Sequence, residues 1–192
     1  VERIWTAVRD WYRVGVNPAI QLCLRRNGEV ILNRSIGHAW GNGPTDDPGA
    51  EKIVVSPDTP FCVYSAAKGI TTALMHMLIE RDVLDLDARV CDYLPGFTSH
   101  GKNRITIRHV LTHAAGMPFF SGGSGNLDRA ADSAYAVQAL CDAKPIYPPG
   151  WFSIYHAVTF GFLTREIVRA ATGRNIRDIL ADDELLAVHR LS

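Results

Sequence analysis

Along the first turns of the chain, Val1, Ile4, Trp5, Val8, Trp11 and Tyr12 recur three and four apart. That spacing predicts an amphipathic helix whose apolar stripe packs on something flat. The period then changes. "PAIQLCLRR" and "EVILNRSIG" alternate apolar and polar residues and are joined by Asn27-Gly28. Asn-Gly between two such runs is the strongest short signal for a β-hairpin. A loop rich in Gly, Pro and Asp follows, then the short strand-like "IVVS".

From residue 61 the chain reads "FCVYSAAKGITTALMHMLIERDVL". An apolar, strand-like start passes into a long helix with Ile70, Leu74, Met77, Leu78 and Val83 on its apolar side. "LDLDARVCDYLPGF" turns back and stops at Pro95-Gly96. "ITIRHVLTHAAGMP" predicts a short helix capped by Thr106 and ended by Gly116, with Pro118 just beyond. "FFSGGSGNLD" reads as a flexible loop, "AADSAYAVQALCDA" as a helix and "KPIYPPGWFSIY" as a Pro-rich connector, and one or two helices follow. Strands come early and helices late. A hairpin alone is marginal, since a stable sheet needs three or more strands, and its partners are not obvious in this sequence.

Composition narrows the function classes. The 192 residues are 47% hydrophobic and 21% charged, with zero formal net charge. That is globular, and it carries no basic surplus for nucleic acid or an anionic membrane. No apolar run approaches the ~20 residues that span a bilayer. The N-terminal stretch alternates charge with apolar residues, unlike a secretory signal. Cys23, Cys62, Cys91 and Cys141 are scattered without a CxxC. They read as buried free thiols, and the expected compartment is cytoplasmic, with export left open.

The candidate chemistry is Ser-x-x-Lys, which occurs twice: Ser65 with Lys68, and Ser99 with Lys102. The second copy contains Gly101 and follows Pro95-Gly96, so it reads as a loop without fixed geometry. The first opens a helix, where residues i and i+3 share a face about 5–6 Å apart at Cβ. Serine needs a base to become a nucleophile. A solvated lysine, with pKa ~10.4, is a poor base at neutral pH. Either Lys68 is desolvated and takes the proton, or it stays charged and lowers the pKa of a second base such as a tyrosine. The competing reading is an N-cap serine and a solvated first-turn lysine.

In its motifs and their order the chain resembles the serine β-lactamase and penicillin-binding-protein-like hydrolases, above all class C β-lactamases and family VIII carboxylesterases. "YSAAKGITTALMHMLIERDVLDLD", "VCDYLPGF", "ITIRHVLTHAAGMP" and "YPPGWFSIYHAVTFGFLTREIVRAATGR" carry the likeness. It implies an α+β, β-lactamase/transpeptidase-like fold: an antiparallel sheet packed with helices plus a helical subdomain, with the cleft between them. The whole of 1–192 would be one incomplete domain, helix and strands in 1–64 and a mostly helical part in 65–192. No third motif or closing strand of the family follows Arg174, so the C-terminal strands are expected to be missing. The resemblance makes Ser65 the acylated nucleophile, Lys68 its partner and Tyr155 the second base.

Tyr155-His156-Ala157 stands where the family has Tyr-x-Asn. The lost asparagine argues against β-lactam turnover and toward ester hydrolysis. β-Lactamase or D-alanyl-D-alanine peptidase activity, and an inactive or truncated member, stay open. The reaction needs no metal or organic cofactor. The implied partner is a small-molecule ester or amide, with self-association or a complementary chain to cover the incomplete sheet. His156, Phe120 and Trp151 are candidate substrate contacts, with Phe119 and Phe152 beside them. His109 and His113, four apart, lack a third metal ligand and read as structural hydrogen bonding before Gly116. Asp85 and Asp87 read as the solvated side of a turn, and Cys62 as core.

Overall fold

The computed structural model describes residues 1–120, 129 and 132–182. They fall into two units, Val1–Cys62 and the chain from Val63 onward. The predicted glycine-rich loop at 121–128 lies outside the described residues.

In the first unit, helix α1 (Glu2–Arg13) leads into strands β1 (Ala19–Arg26), β2 (Glu29–Trp40) and β3 (Ile53–Val54), which form an antiparallel sheet in the order β1-β2-β3. The hairpin turns where the Asn-Gly signal placed it. Asn27 and Gly28 both have positive φ, 52° and 84°, as a turn matched to strand twist requires. The register slips by one residue between Leu24 and Arg25. The hairpin does find a third strand, the "IVVS" segment, though it is only two residues long. Gln21 fastens the exit from β3, its side-chain amide donating to the carbonyls of Ser56 (2.6 Å) and Thr59 (2.8 Å).

Helix α1 is held on β2 by Arg34, whose guanidinium pairs with Glu2 at 2.7 Å and lies over Trp5. Gly37 lets the helix and the chain entering β1 come close. A Cβ there would sit 2.3 Å from the Pro18 carbonyl oxygen and 2.8 Å from the Tyr12 ring. No residue of α1 is buried, and Trp11 is 59% exposed.

The second unit is helical: α2 (Ala67–Glu80), α3 (Val90–Tyr93), α4 (Ile107–Leu111), α5 (Ser133–Asp142), α6 (Thr159–Thr172) and α7 (Ile176–Leu180). One core joins Leu74 and Leu78 of α2 to Val90, Phe97, Ile107, Val110, Leu140, Leu163 and Ile167. Burying each such side chain is worth about 1.5–3 kcal/mol. Helix α4 starts as expected: the Thr106 hydroxyl accepts the His109 N–H, and the His109 imidazole accepts the Thr106 N–H. Helix α6 ends at Gly173 in the left-handed conformation.

Four expectations change. Residues 61–63 form no strand, and Phe61 and Val63 are exposed; the proline before them cannot donate to a ladder. The buried side of α2 is Leu74, Met75 and Leu78, while Ile70 and Val83, at or beyond its ends, are exposed. All four cysteines are free, but Cys23 and Cys62 are exposed and Cys91 and Cys141 half-buried. Cys62 is therefore not core.

Candidate active site

Ser65 sits inside a 3-10 turn, Tyr64–Ala66, which leads into α2. It is not the helix cap: the capping position of α2 is Ala66, and no side chain caps it. The backbone is strained one residue earlier, where Tyr64 has φ +44°. A non-glycine residue held there costs about 1–3 kcal/mol, a strain that clusters at functional turns. Tyr64 is itself 84% exposed. Packing of its side chain therefore does not account for the conformation, and its consequence is to present Ser65 at the surface.

Lys68, one turn into the helix, points back at the serine. Its Nζ donates to Ser65 Oγ at 3.2 Å and to the Ala157 carbonyl at 2.8 Å. Tyr155 completes the group, its phenol hydrogen-bonded to Ser65 Oγ. The Lys68 ammonium also lies 5.0 Å from the Tyr155 ring centroid and 5.9 Å from that of Phe160. Residues 90 positions apart in sequence thus share one hydrogen-bonded cluster.

The electrostatics follow from this contact set. The hydrogen bond shared with Ser65 and then that with Lys68, with the lysine's charge, hold the Tyr155 phenol below its ordinary pKa. Slight burial opposes the shift. A phenol lowered in this way is the better placed proton acceptor for the serine, with the Ser65 contact the largest cause and Lys68 the next. Ser65 is exposed, Lys68 half-buried and Tyr155 51% exposed.

The tyrosine lies on an irregular segment before α6, strapped to the loop after α4. Ser153 Oγ donates to the Thr112 carbonyl (2.8 Å), the Ile154 N–H to the His113 carbonyl (3.1 Å) and the His156 N–H to His113 Nδ1 (3.1 Å). Gly116, at φ +75°, allows the approach; a Cβ there would lie 2.3 Å from the Tyr147 carbonyl oxygen.

The candidate substrate contacts separate. His156 is 1% exposed, and its ring is engaged by backbone on both sides. Its Nδ1 meets the Ile154 carbonyl at 2.6 Å, and its Nε2 accepts the Met117 N–H at 2.9 Å. In this structure the ring braces the loop after α4 against the segment before α6. Phe120 is half-buried and packs against the core with its ring 5.3 Å from Phe162. Trp151 is 70% exposed and Phe152 60%, open to contact from solvent.

Asp87 pairs with Arg108 at 2.7 Å, and Asp85 accepts the Asp87 N–H, as a turn would use them. His113, expected to make structural hydrogen bonds before Gly116, does so through Nδ1, and its ring also lies 5.0 Å from that of Tyr155. The Ala157 carbonyl, a ligand of Lys68, left no mark in the sequence because every residue carries one.

The second Ser-x-x-Lys is not a loose loop. Ser99–Arg104 forms 3-10 turns kinked at His100 and Gly101, and Lys102 is fully buried. Lys102 Nζ donates to Ser99 Oγ (3.0 Å) and to the carbonyls of Cys141 (2.6 Å) and Ala143 (2.5 Å).

The chain is 34% identical over 128 residues to Esterase/beta-lactamase LipL of Mycobacterium tuberculosis, a match covering 67% of this chain and 29% of that protein. It is 32% identical over 136 residues to Penicillin-binding protein 4 of Amycolatopsis lactamdurans, covering 68% of this chain and 34% of that one. A solved family VIII carboxylesterase superposes with a TM-score of 0.79 at 26% identity, over 94% of this chain and 47% of that one. The chain thus spans about a third of these curated relatives and under half of the solved enzyme. The family description "Beta-lactamase" matches residues 8–188, and by that match the chain belongs to the β-lactamase family, whose relatives here include esterases, β-lactamases and penicillin-binding proteins.

Proposed function

We propose that this chain carries the acylation machinery of a serine hydrolase acting on carboxylic esters. The observation that supports this best is the shared contact at Ser65 Oγ, which takes a hydrogen bond from Lys68 at 3.2 Å and another with the Tyr155 phenol. Ser65 Oγ attacks the ester carbonyl and its proton passes to the Tyr155 phenolate. The tetrahedral adduct collapses, and the alcohol leaves with that proton. Water then attacks the acyl-enzyme, gives a proton to Tyr155 and releases the acid, and the phenol returns the proton to Ser65. Lys68 keeps its charge throughout and favours the phenolate.

Two features favour an ester over a β-lactam. Ala157 has no side-chain amide to grip a substrate amide, and its backbone carbonyl is occupied by Lys68. LipL is named for both activities, which supports amide hydrolysis as the second reading. The test is direct comparison of a short p-nitrophenyl ester with a chromogenic cephalosporin. Faster ester turnover, lost in Ser65→Ala, is expected. Cephalosporin turnover at a rival rate would favour the second reading. No fluorophosphonate label on Ser65 in a folded chain would remove both.

A further inference from the structure

His113 brackets the tyrosine. Its carbonyl accepts the N–H of Ile154 at 3.1 Å and its Nδ1 accepts the N–H of His156 at 3.1 Å, the residues on either side of Tyr155. Its ring lies 5.0 Å from that of Tyr155 at an interplanar angle of 59°. The same carbonyl is met by the Tyr147 hydroxyl at 3.4 Å. His113 thus touches the tyrosine segment through main chain and side chain, and the residue it surrounds is the proposed base.

The tautomer follows from the partners. A backbone N–H can only donate, so Nδ1 must be an unprotonated acceptor and the ring proton sits on Nε2. The groups packed around the ring favour that neutral form. Lys68 on α2 is the charge acting on it, Tyr155, His156 and Tyr147 are the titratable neighbours on the strapped segment, and α6 contributes the Phe160 ring. Burial and the Lys68 charge both hold the imidazole below the ordinary histidine pKa. The backbone of His113 is held at φ +59°, a left-handed conformation that asparagine and histidine tolerate better than most residues.

We propose that His113 is a positioning residue for Tyr155, a neutral imidazole whose Nδ1 clamps the His156 N–H and so keeps the phenol on Ser65. This rests on the hydrolase reading above only for its kinetic consequence. Asparagine can replace the clamp, because its side-chain oxygen stands where Nδ1 stands and the left-handed backbone suits it. Leucine keeps the bulk and removes the acceptor.

The test is the rate of Ser65 acylation by a fluorophosphonate in the parent chain, His113→Asn and His113→Leu, with thermal unfolding of each as a check on folding. His113→Asn is expected to stay within about 5-fold of the parent. His113→Leu is expected to fall about 10²-fold, the usual cost of a misplaced reacting group. Nitrogen-15 NMR of the parent supplies a readout independent of activity: Nδ1 unprotonated at neutral pH, and a His156 amide shift that follows the titration of the His113 ring. A His113→Leu variant as fast as the parent, or a His113→Asn variant as slow as the leucine variant, overturns the proposal. So does an Nδ1 that carries a proton at neutral pH. If the parent takes no label, the hydrolase reading falls, and the clamp is judged on the NMR titration, where an indifferent His156 amide overturns it.

Discussion

Ser65-Lys68 and Ser99-Lys102 share a spacing, a pair of residue types and an exposed serine, and they differ in what surrounds the lysine and the hydroxyl. At the first, the serine is exposed, the lysine half-buried, and a tyrosine phenol from far along the chain joins them. At the second, the lysine is sealed and its ammonium has three acceptors: the serine hydroxyl and two backbone carbonyls. The serine there spends its own proton on the Cys141 carbonyl at 2.7 Å. Among the described residues no side-chain base meets the Ser99 hydroxyl, which serves as a ligand of the buried Lys102. The motif specifies reach. What lies on the far side of the hydroxyl decides between chemistry and architecture.

The comparison can be broken most sharply at the serines. Ser65→Ala should abolish acylation, a loss of about 10⁴-fold or more. Tyr155→Phe, which removes only the phenol oxygen, should lower the acylation rate by about 10²–10⁴-fold, the usual range for a general base. The check in each case is single-turnover labelling followed over time.

The lysines should separate by what they affect. Lys102→Ala strands the buried Ala143 carbonyl, takes one of two donors from that of Cys141 and should cost about 1–3 kcal/mol of stability, read as a lower denaturation midpoint. Lys68→Met should cost little stability, under about 1 kcal/mol, while slowing acylation. If Lys68→Met unfolds the protein, or Lys102→Ala leaves stability unchanged, the two sites have been assigned the wrong way round.

Protonation gives a finer test. Tyr155 acts as a base only when ionised, so acylation should rise with pH and level off above its lowered pKa. Lys68 helps set that position. In Lys68→Met the rise should move to higher pH, and a profile that stays in place would show that the phenol is not the titrating base. The smallest effect belongs to Ser99→Ala, which leaves acylation unchanged and removes one of three ligands from Lys102.

The sequence carried some of this and not the rest. Asn27-Gly28 and the Thr106 cap were legible because each is a local rule satisfied by neighbouring residues. Ser65, Lys68 and Tyr155 were legible through family likeness, since nothing local ties residue 155 to residue 65. The Ser99-Lys102 site was misread as a loose loop. Its order comes from the carbonyls of Cys141 and Ala143, about forty positions away, and backbone acceptors leave no trace in residue identity. The burial of His156 left no trace for the same reason, because its partners are the main chain of Ile154 and Met117. The contact of the Phe120 ring with Phe162 spans 42 positions and is likewise invisible to local pattern.

The most direct measurement is fluorophosphonate labelling of the folded chain, with the modified residue mapped by peptide mass spectrometry. The account predicts one label on Ser65, lost in Tyr155→Phe at matched exposure times, and none on Ser99. An unlabelled folded chain, or a label on Ser99 in place of Ser65, would contradict it.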